Sequence, residues 1–457
     1  MKSASKRIGL GIGICALASL LGGNAVFADD VVKDAESLWK AAGFQISGTV
    51  LASYTQNFNN PNTNNNQLRI FDTNANSFMP SMAQIVFERP ANASGSGIDR
   101  AGFRARLNFG ADARFSSART NYQPGESNKE IDIQEIYGEY IAPIGNGLKI
   151  QAGKINTLIG YEVVNAWENP NFSRSFMFGL SQAFTTTGIR FTYPFTSWAT
   201  ATIGLINGWD NIDDNNRSKS FEYLVALTPH EKFGFSVYGS YGAEQTNGNT
   251  NGLGTATVNG CTIGSAGCDP QAKRTVVGGI ITFKPIASTT LVLEPYYGNE
   301  GNQDFAPGTG GASGTGTGKN ARWNGIIAYL THDFNDQAKP NAFSLRLRGE
   351  LFEDAGGART CAGSVNFAGG ANTCSGSASS GVAVGTANAG FVPVNAVGSG
   401  TPQTLWEGTL TLQWKPVPQL QTRAEFRYDK SDQNVFLRGG EATNNQQTLA
   451  FSVAYLF

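Results

Sequence analysis

Leu449-Ala-Phe-Ser-Val-Ala-Tyr-Leu-Phe457 closes the chain with an apolar side chain at every odd position. Strand side chains alternate between two faces, so Leu449, Phe451, Val453, Tyr455 and Phe457 share one side, and Ala450, Ser452 and Ala454 take the other. That pattern reads as a strand with lipid on its apolar face and Phe457 at its very end.

The same period of two recurs upstream. Phe44, Ile46, Val50, Ala52 and Tyr54 oppose Gln45, Ser47, Thr49 and Ser53, and over 103–115 a run of Phe, Ala and Leu alternates with Arg104, Arg106, Asn108, Gly110, Asp112 and Arg114. Further segments fall at 82–89, 131–142, 147–155, 185–194, 198–208, 220–228, 233–243, 274–284, 289–299, 321–332, 342–354, 404–415, 420–429 and 447–457, which brings the expected total to sixteen. The links between them alternate in length. Short ones include Pro143-Ile-Gly-Asn-Gly147, Pro194-Phe-Thr-Ser197, Pro229-His-Glu-Lys232, Pro285-Ile-Ala-Ser288 and Pro416-Val-Pro-Gln419, with longer ones of the same set at 90–100 and 333–341. The intervening links are long: 57–80, 116–130, 156–184, 209–219, 244–273, 300–320, 355–403 and 430–446. Short periplasmic turns alternating with long extracellular loops are the mark of an outer-membrane barrel. The fold expected is therefore all-β: a transmembrane antiparallel β-barrel of sixteen strands. An even count lets the last strand close on the first, as lipid requires, because no water there can satisfy an open edge.

The other end of the chain agrees. Met1-Lys-Ser-Ala-Ser-Lys-Arg7, an apolar stretch to Gly23 and Val26-Phe-Ala28 read as a secretory signal peptide over 1–28. A short periplasmic segment, 29–43, and a barrel domain, 44–457, follow, and no later apolar run reaches the ~20 residues of a spanning helix. Of the 34 basic residues, Lys2, Lys6 and Arg7 leave with the leader, so 31 face 35 acidic ones, a net charge of −4 that argues against a nucleic-acid partner. Four cysteines remain in two local pairs, Cys261 with Cys268 and Cys361 with Cys374. In a chain exported to an oxidising space they predict two loop disulfides. They lack the spacing and the histidine of a zinc site, and no metal or cofactor is expected.

Asn66-Gln-Leu-Arg-Ile-Phe-Asp72 with Asn76-Ser-Phe78, Gly102-Phe-Arg-Ala-Arg-Leu-Asn-Phe-Gly110, Ala152-Gly-Lys-Ile-Asn-Thr157 with Gly160-Tyr-Glu162, and Asn207-Gly-Trp-Asp210 together resemble the putative beta-barrel porin-2 (OmpL-like) family of bacterial outer membranes. The resemblance covers most of the mature chain and implies a passive porin-like barrel. It lends no catalytic residues and little about substrate. The terminal Phe457 likewise resembles the signal read by the barrel assembly machinery, which makes that machinery an expected partner beside the membrane lipid. Sixteen-stranded porins commonly trimerise, so a homotrimer is the expected assembly.

If apolar faces meet lipid, the opposite faces line the interior. This places Arg104, Arg106, Asp112, Arg114, Glu135, Glu139, Arg190, Arg346, Arg348, Glu350, Arg423, Glu425 and Arg427 on the pore wall. Such charges must be hydrated or paired, since a bare charge in a low-dielectric interior is prohibitive. They either bias ion passage or brace neighbouring strands. A barrel of ~16 strands is wide enough for an aqueous channel. The link 156–184, unusually aromatic for an outer loop, is expected to fold inward as a constriction with Glu162, Glu168 and Arg174 facing the permeant. The function expected is passive diffusion of ions and small hydrophilic solutes across the cell outer membrane.

Rival readings are weaker. Asp210-Asn-Ile-Asp-Asp-Asn-Asn-Arg217 lacks the glycine and glutamate of a calcium loop, and Gly314-Thr-Gly-Thr-Gly-Lys-Asn320 lacks the leading glycine and the Ser/Thr of a phosphate loop. An enzyme would have only His230 and His332 to activate a serine, and no Gly-x-Ser-x-Gly occurs. The alternative is a surface adhesin working through loops 244–273 and 355–403.

Overall fold

The computed structural model describes residues 43–116, 131–214, 216, 218–244, 271–301, 320–355, 359–360 and 402–457. The signal peptide and the 29–42 segment lie outside the described residues. So do Cys261, Cys268, Cys361 and Cys374, and with them both disulfides expected from sequence, Cys261 to Cys268 and Cys361 to Cys374. Strands run in the order β1 (Gln45–Asn57), β2 (Ser77–Arg89), β3 (Ala101–Phe109), β4 (Ile131–Ala142), β5 (Leu148–Asn156), β6 (Thr185–Pro194), β7 (Ala199–Trp209), β8 (Ser220–His230) and β9 (Phe233–Ala243). They continue as β10 (Lys273–Ile286), β11 (Thr289–Glu300), β12 (Ala321–Asp333), β13 (Ala342–Asp354), β14 (Gln403–Val417), β15 (Leu420–Ser431) and β18 (Asn445–Leu456), with a small hairpin, β16 (Phe436–Arg438) and β17 (Glu441–Thr443), in the last outer loop. Every strand of the large sheet pairs antiparallel with its chain neighbour, and β18 returns to β1, giving a closed barrel of sixteen strands. Among the described residues no helix is long and apolar enough to cross a membrane.

Parity sorts the side chains. Phe451, Val453 and Tyr455 of β18 are exposed on the outer face beside Tyr54 and Val50 of β1, while Ala450 and Ala454 are buried inside. Closure is completed at Phe457, whose N–H and carbonyl exchange two 3.0 Å hydrogen bonds with Gly48. Its ring lies over Gly48, where an added Cβ would stand 2.4 Å from Cζ. Gly153 of β5 serves a similar purpose inside the sheet: at φ +139° it lets the backbone pass where a Cβ would fall 2.2 Å from the Ile136 carbonyl.

Two boundaries differ from the sequence reading by five residues or more. β2 begins at Ser77, five residues before the expected 82. The expected strand 103–115 stops at Phe109, because Gly110 (φ +104°) turns the chain into a helical turn, α1 (Ala113–Ser116). Alternation continued past the true end because Ala111 and Ala113 satisfy either period. As a result Phe115 is buried inside, and Asp112 and Arg114 sit on a turn above the wall instead of on a strand.

Candidate functional site

The link between β5 and β6 bends into the barrel. Ile159, Val164, Phe172, Phe176, Met177, Phe178, Leu180 and Phe184 are each at most 3% exposed. Burying side chains of this size is worth roughly 1.5–3 kcal/mol each, a strong drive to leave water. Locally the segment forms a 3-10 turn at Ala166–Glu168 and a short helix, α2 (Phe176–Ser181), capped by the Ser175 hydroxyl, which accepts from the Phe178 N–H at 3.1 Å. Glu162 ties the segment to itself by accepting from both the N–H and the hydroxyl of Ser175 at 2.7 Å.

The far wall grips the loop by its backbone. Glu425 of β15 accepts the N–H groups of Phe172 (2.6 Å) and Ser173 (2.9 Å). Glu350 of β13 accepts those of Phe176 (2.6 Å) and Met177 (2.7 Å). Guanidinium groups take the carbonyls: Arg423 donates to Ala166 (2.8 Å) and Asn169 (2.7 Å), and Arg427 donates to Arg174 (2.5 Å). Arg348 is the hub, donating to the Ser173 carbonyl, to Glu162 and to Glu407, each at 2.6 Å. Strands β13 to β15 stand about half the ring of sixteen away from β5 and β6. The loop therefore crosses the lumen along a diameter and is fastened at both ends.

The first outer loop joins it. Arg69 pairs with Asp429 (2.7 Å) and Asp72 (2.5 Å), and Gln67 and Gln446 exchange hydrogen bonds of 3.2 and 2.8 Å, which seats residues 66–72 on the inner faces of β15 and β18. Phe71, at a left-handed φ of 75°, packs on Phe115, Phe178 and Phe184 with ring centroids 5.6–6.0 Å apart. Arg174 covers the Phe71 ring at 4.3 Å, donates to the carbonyls of Phe172 and Val164, and stands 4.0 Å from Asp112. Burial pushes the Asp112 carboxyl up to about 7, with Arg174 only partly offsetting it, and pulls the Arg174 guanidinium below its ordinary value.

The structure thus divides the residues singled out from sequence. Arg348, Glu350, Arg423, Glu425, Arg427, Glu162, Arg174 and Asp112 are buried where the loops meet the wall. Two further pairs brace the wall: Arg106 of β3 with Glu135 of the adjoining β4 (3.1 Å), and Arg190 of β6 with Glu222 of β8 (2.5 Å), reaching past Gly204 of β7. Arg104 is partly exposed and bonded to Glu88 at 2.6 Å. Glu139 accepts from the Ala91 N–H at 2.9 Å, and Arg346 reaches Asp333 at 3.3 Å. Arg114 donates to the Ala111 carbonyl at 2.8 Å, and Glu168 is exposed while accepting from Asn165 at 2.8 Å. The cysteine pairs, Cys261 with Cys268 and Cys361 with Cys374, fall outside the described residues. Arg69, Asp72 and Glu88 escaped the sequence reading. Beyond the family motif that contains them, the signal for Arg69 and Asp72 was an oppositely charged pair three residues apart in an asparagine-rich loop. His332 bonds Thr289 across β11 and β12 at 2.8 Å, and the His230 ring accepts from the Lys232 N–H of its own turn at 3.1 Å.

A closed sixteen-stranded barrel whose lumen is crossed by the loop after its fifth strand has the architecture of an outer-membrane porin. The family model for putative beta-barrel porin-2, OmpL-like, matches residues 43–457, and the chain belongs to that family, placing it in the cell outer membrane. Among solved structures it is similar to the anion-selective porin from Comamonas acidovorans (9% identity, 91% of this chain and 99% of that one covered, TM-score 0.52). It is equally similar to OprB from Pseudomonas putida (9% identity, 92% and 96% covered, TM-score 0.52). No curated protein matches the chain.

Proposed function

We propose that the barrel conducts ions and small hydrophilic solutes by passive diffusion, and that residues 157–184 set its narrowest section. The observation that carries this reading is the diametric anchoring of the loop by Arg348, Glu350, Arg423, Glu425 and Arg427. A loop merely packed away would not need two walls. Water reaches the inner faces on the periplasmic side of this crossing, where Arg104, Tyr137, Glu139, Lys149 and Arg346 keep part of their surface exposed. Because Arg104 and Arg106 share Glu88 and Glu135, their field is largely neutralised, and their replacement by Ser is expected to move reversal potentials little.

Purified protein in a planar bilayer tests the reading. Stable single-channel steps that grow when 165–180 is deleted support it; a silent barrel, or a deletion that inserts with unchanged conductance, overturns it. The homotrimer expected from sequence is tested by cross-linking in native membranes. The loop disulfides, Cys261 to Cys268 and Cys361 to Cys374, are tested by thiol labelling of the unfolded protein before and after reduction. The adhesin alternative rests on loops that fall mostly outside the described residues, and no contact among the described residues favours it.

A further inference from the structure

The neck of the crossing loop, where Gly160-Tyr161 passes Gln182, brings together three buried polar side chains with unpartnered atoms. Glu294 of β11 is fully buried. Its Oε1 accepts from the Tyr238 hydroxyl (2.6 Å) and the Tyr161 N–H (3.1 Å), but its Oε2 has no hydrogen-bond partner. Tyr329, 2% exposed and diagonal to Glu294 on β12, packs its ring on Tyr161 at 4.9 Å with its hydroxyl unpartnered. Gln182, 4% exposed, lies against Gly160, so close that a Cβ there would fall 2.1 Å from its Oε1, and neither amide atom has a partner.

The carboxylates nearby are treated differently. Glu350 and Glu425 each spend both oxygens on backbone N–H groups, and Glu407 binds Arg348. Among the described residues no Lys or Arg nitrogen pairs with Glu294 within 4.0 Å. Water could satisfy a dry hydroxyl or amide. It would not neutralise a carboxylate charge taken out of solvent, whose cost is much larger.

We infer that Glu294 Oε2, the Tyr329 hydroxyl and Gln182 Oε1 form a site for a small monovalent cation that locks the neck of the loop to the β11–β12 wall. All three donors are hard oxygens, which suits an alkali cation and not a soft metal. One carboxylate supplies one charge. A divalent ion is matched by more carboxylates, and Glu162, the other acid whose charge acts on Glu294, is committed to Arg348. The site does not depend on whether the barrel conducts.

The test is the heat-induced unfolding of the purified barrel at one alkaline pH and constant ionic strength, with sodium chloride exchanged for N-methylglucamine chloride. A cation bound only by the folded state raises the unfolding temperature with its concentration. The wild-type protein is expected to show a rise that grows with sodium. Glu294→Gln should lose the sodium-dependent shift without melting below wild type in N-methylglucamine, and Tyr329→Phe should move the response to higher sodium. Equal melting of wild type in the two salts, or an undiminished sodium response in Glu294→Gln, would overturn the assignment. A dependence on pH alone would do the same by making the proton the occupant.

Discussion

Replacing Arg348 by Met retains most of the side-chain volume while removing a guanidinium that joins the loop to β13 and β14. The guanidinium touches Glu162 and Glu407 at 2.6 Å each and the Ser173 carbonyl at 2.6 Å, with full burial on both sides of the ion pairs. Removing one partner of a buried pair costs about 3–5 kcal/mol, because the other charge is left uncompensated. The lower end applies here: Glu162 keeps its two bonds from Ser175, and Glu407 keeps the Thr409 hydroxyl at 2.5 Å. At about 1.4 kcal/mol per tenfold, a loss of about 3 kcal/mol makes excursions of the loop from the wall roughly 10²-fold more frequent. Single-channel recording reads such excursions as flicker to a higher conductance. Arg346→Met is the control, two residues along the same face, partly exposed and, among the described residues, paired with Asp333 alone, and it should leave flicker unaltered. If Arg348→Met inserts normally, shows the usual heat-modifiable mobility and still flickers like wild type, the loop is not held by this arginine and the latch is refuted.

Deleting Phe457 removes the two backbone hydrogen bonds to Gly48 and the ring that covers it, so the yield of inserted barrel should fall in an outer-membrane assembly assay while the conductance of inserted molecules stays unchanged. Asp112 gives a pH dependence of definite sign. Its carboxyl is raised from 3.8 to about 7 in the folded protein, so its contribution favours folding most below about 4 and is lost as pH rises through about 7; in denaturant titrations Asp112→Asn should flatten the fall in stability across that window. Gly153→Ala places a Cβ against the Ile136 carbonyl at a positive φ, and a loss of roughly 1–3 kcal/mol, seen as a lower unfolding temperature, is expected from strain of this kind.

The barrel was legible because its determinants are local. Period two, the parity of Phe451 against Ala450, and the alternation of short and long links depend on a few adjacent residues, and closure then follows from lipid. The boundary at Phe109 was not legible, because Ala111, Ala113 and Phe115 satisfied the alternation while Gly110 alone redirected the chain. The interior was legible only by side. Parity shows that Arg348, Glu350, Arg423 and Glu425 face inward, but it does not say whether they meet water, each other, or a segment 173 to 257 residues away. The clue lay in composition: an outer loop bearing Tyr161, Trp167, Phe172, Phe176, Phe178 and Phe184 has to bury itself somewhere. What it buries against follows from an elementary constraint. A loop that leaves water takes its backbone N–H and C=O groups with it, and a segment with few regular hydrogen bonds of its own has to find partners for them. On an apolar wall those groups would be orphaned. A wall carrying acids on β13 and β15 for the N–H groups, and arginines on the same strands for the carbonyls, supplies partners of both kinds at a fixed position. The same residues that sequence suggests for steering ions are thus the ones the loop requires for docking, so their substitution should alter the channel first through its geometry and only secondarily through its field.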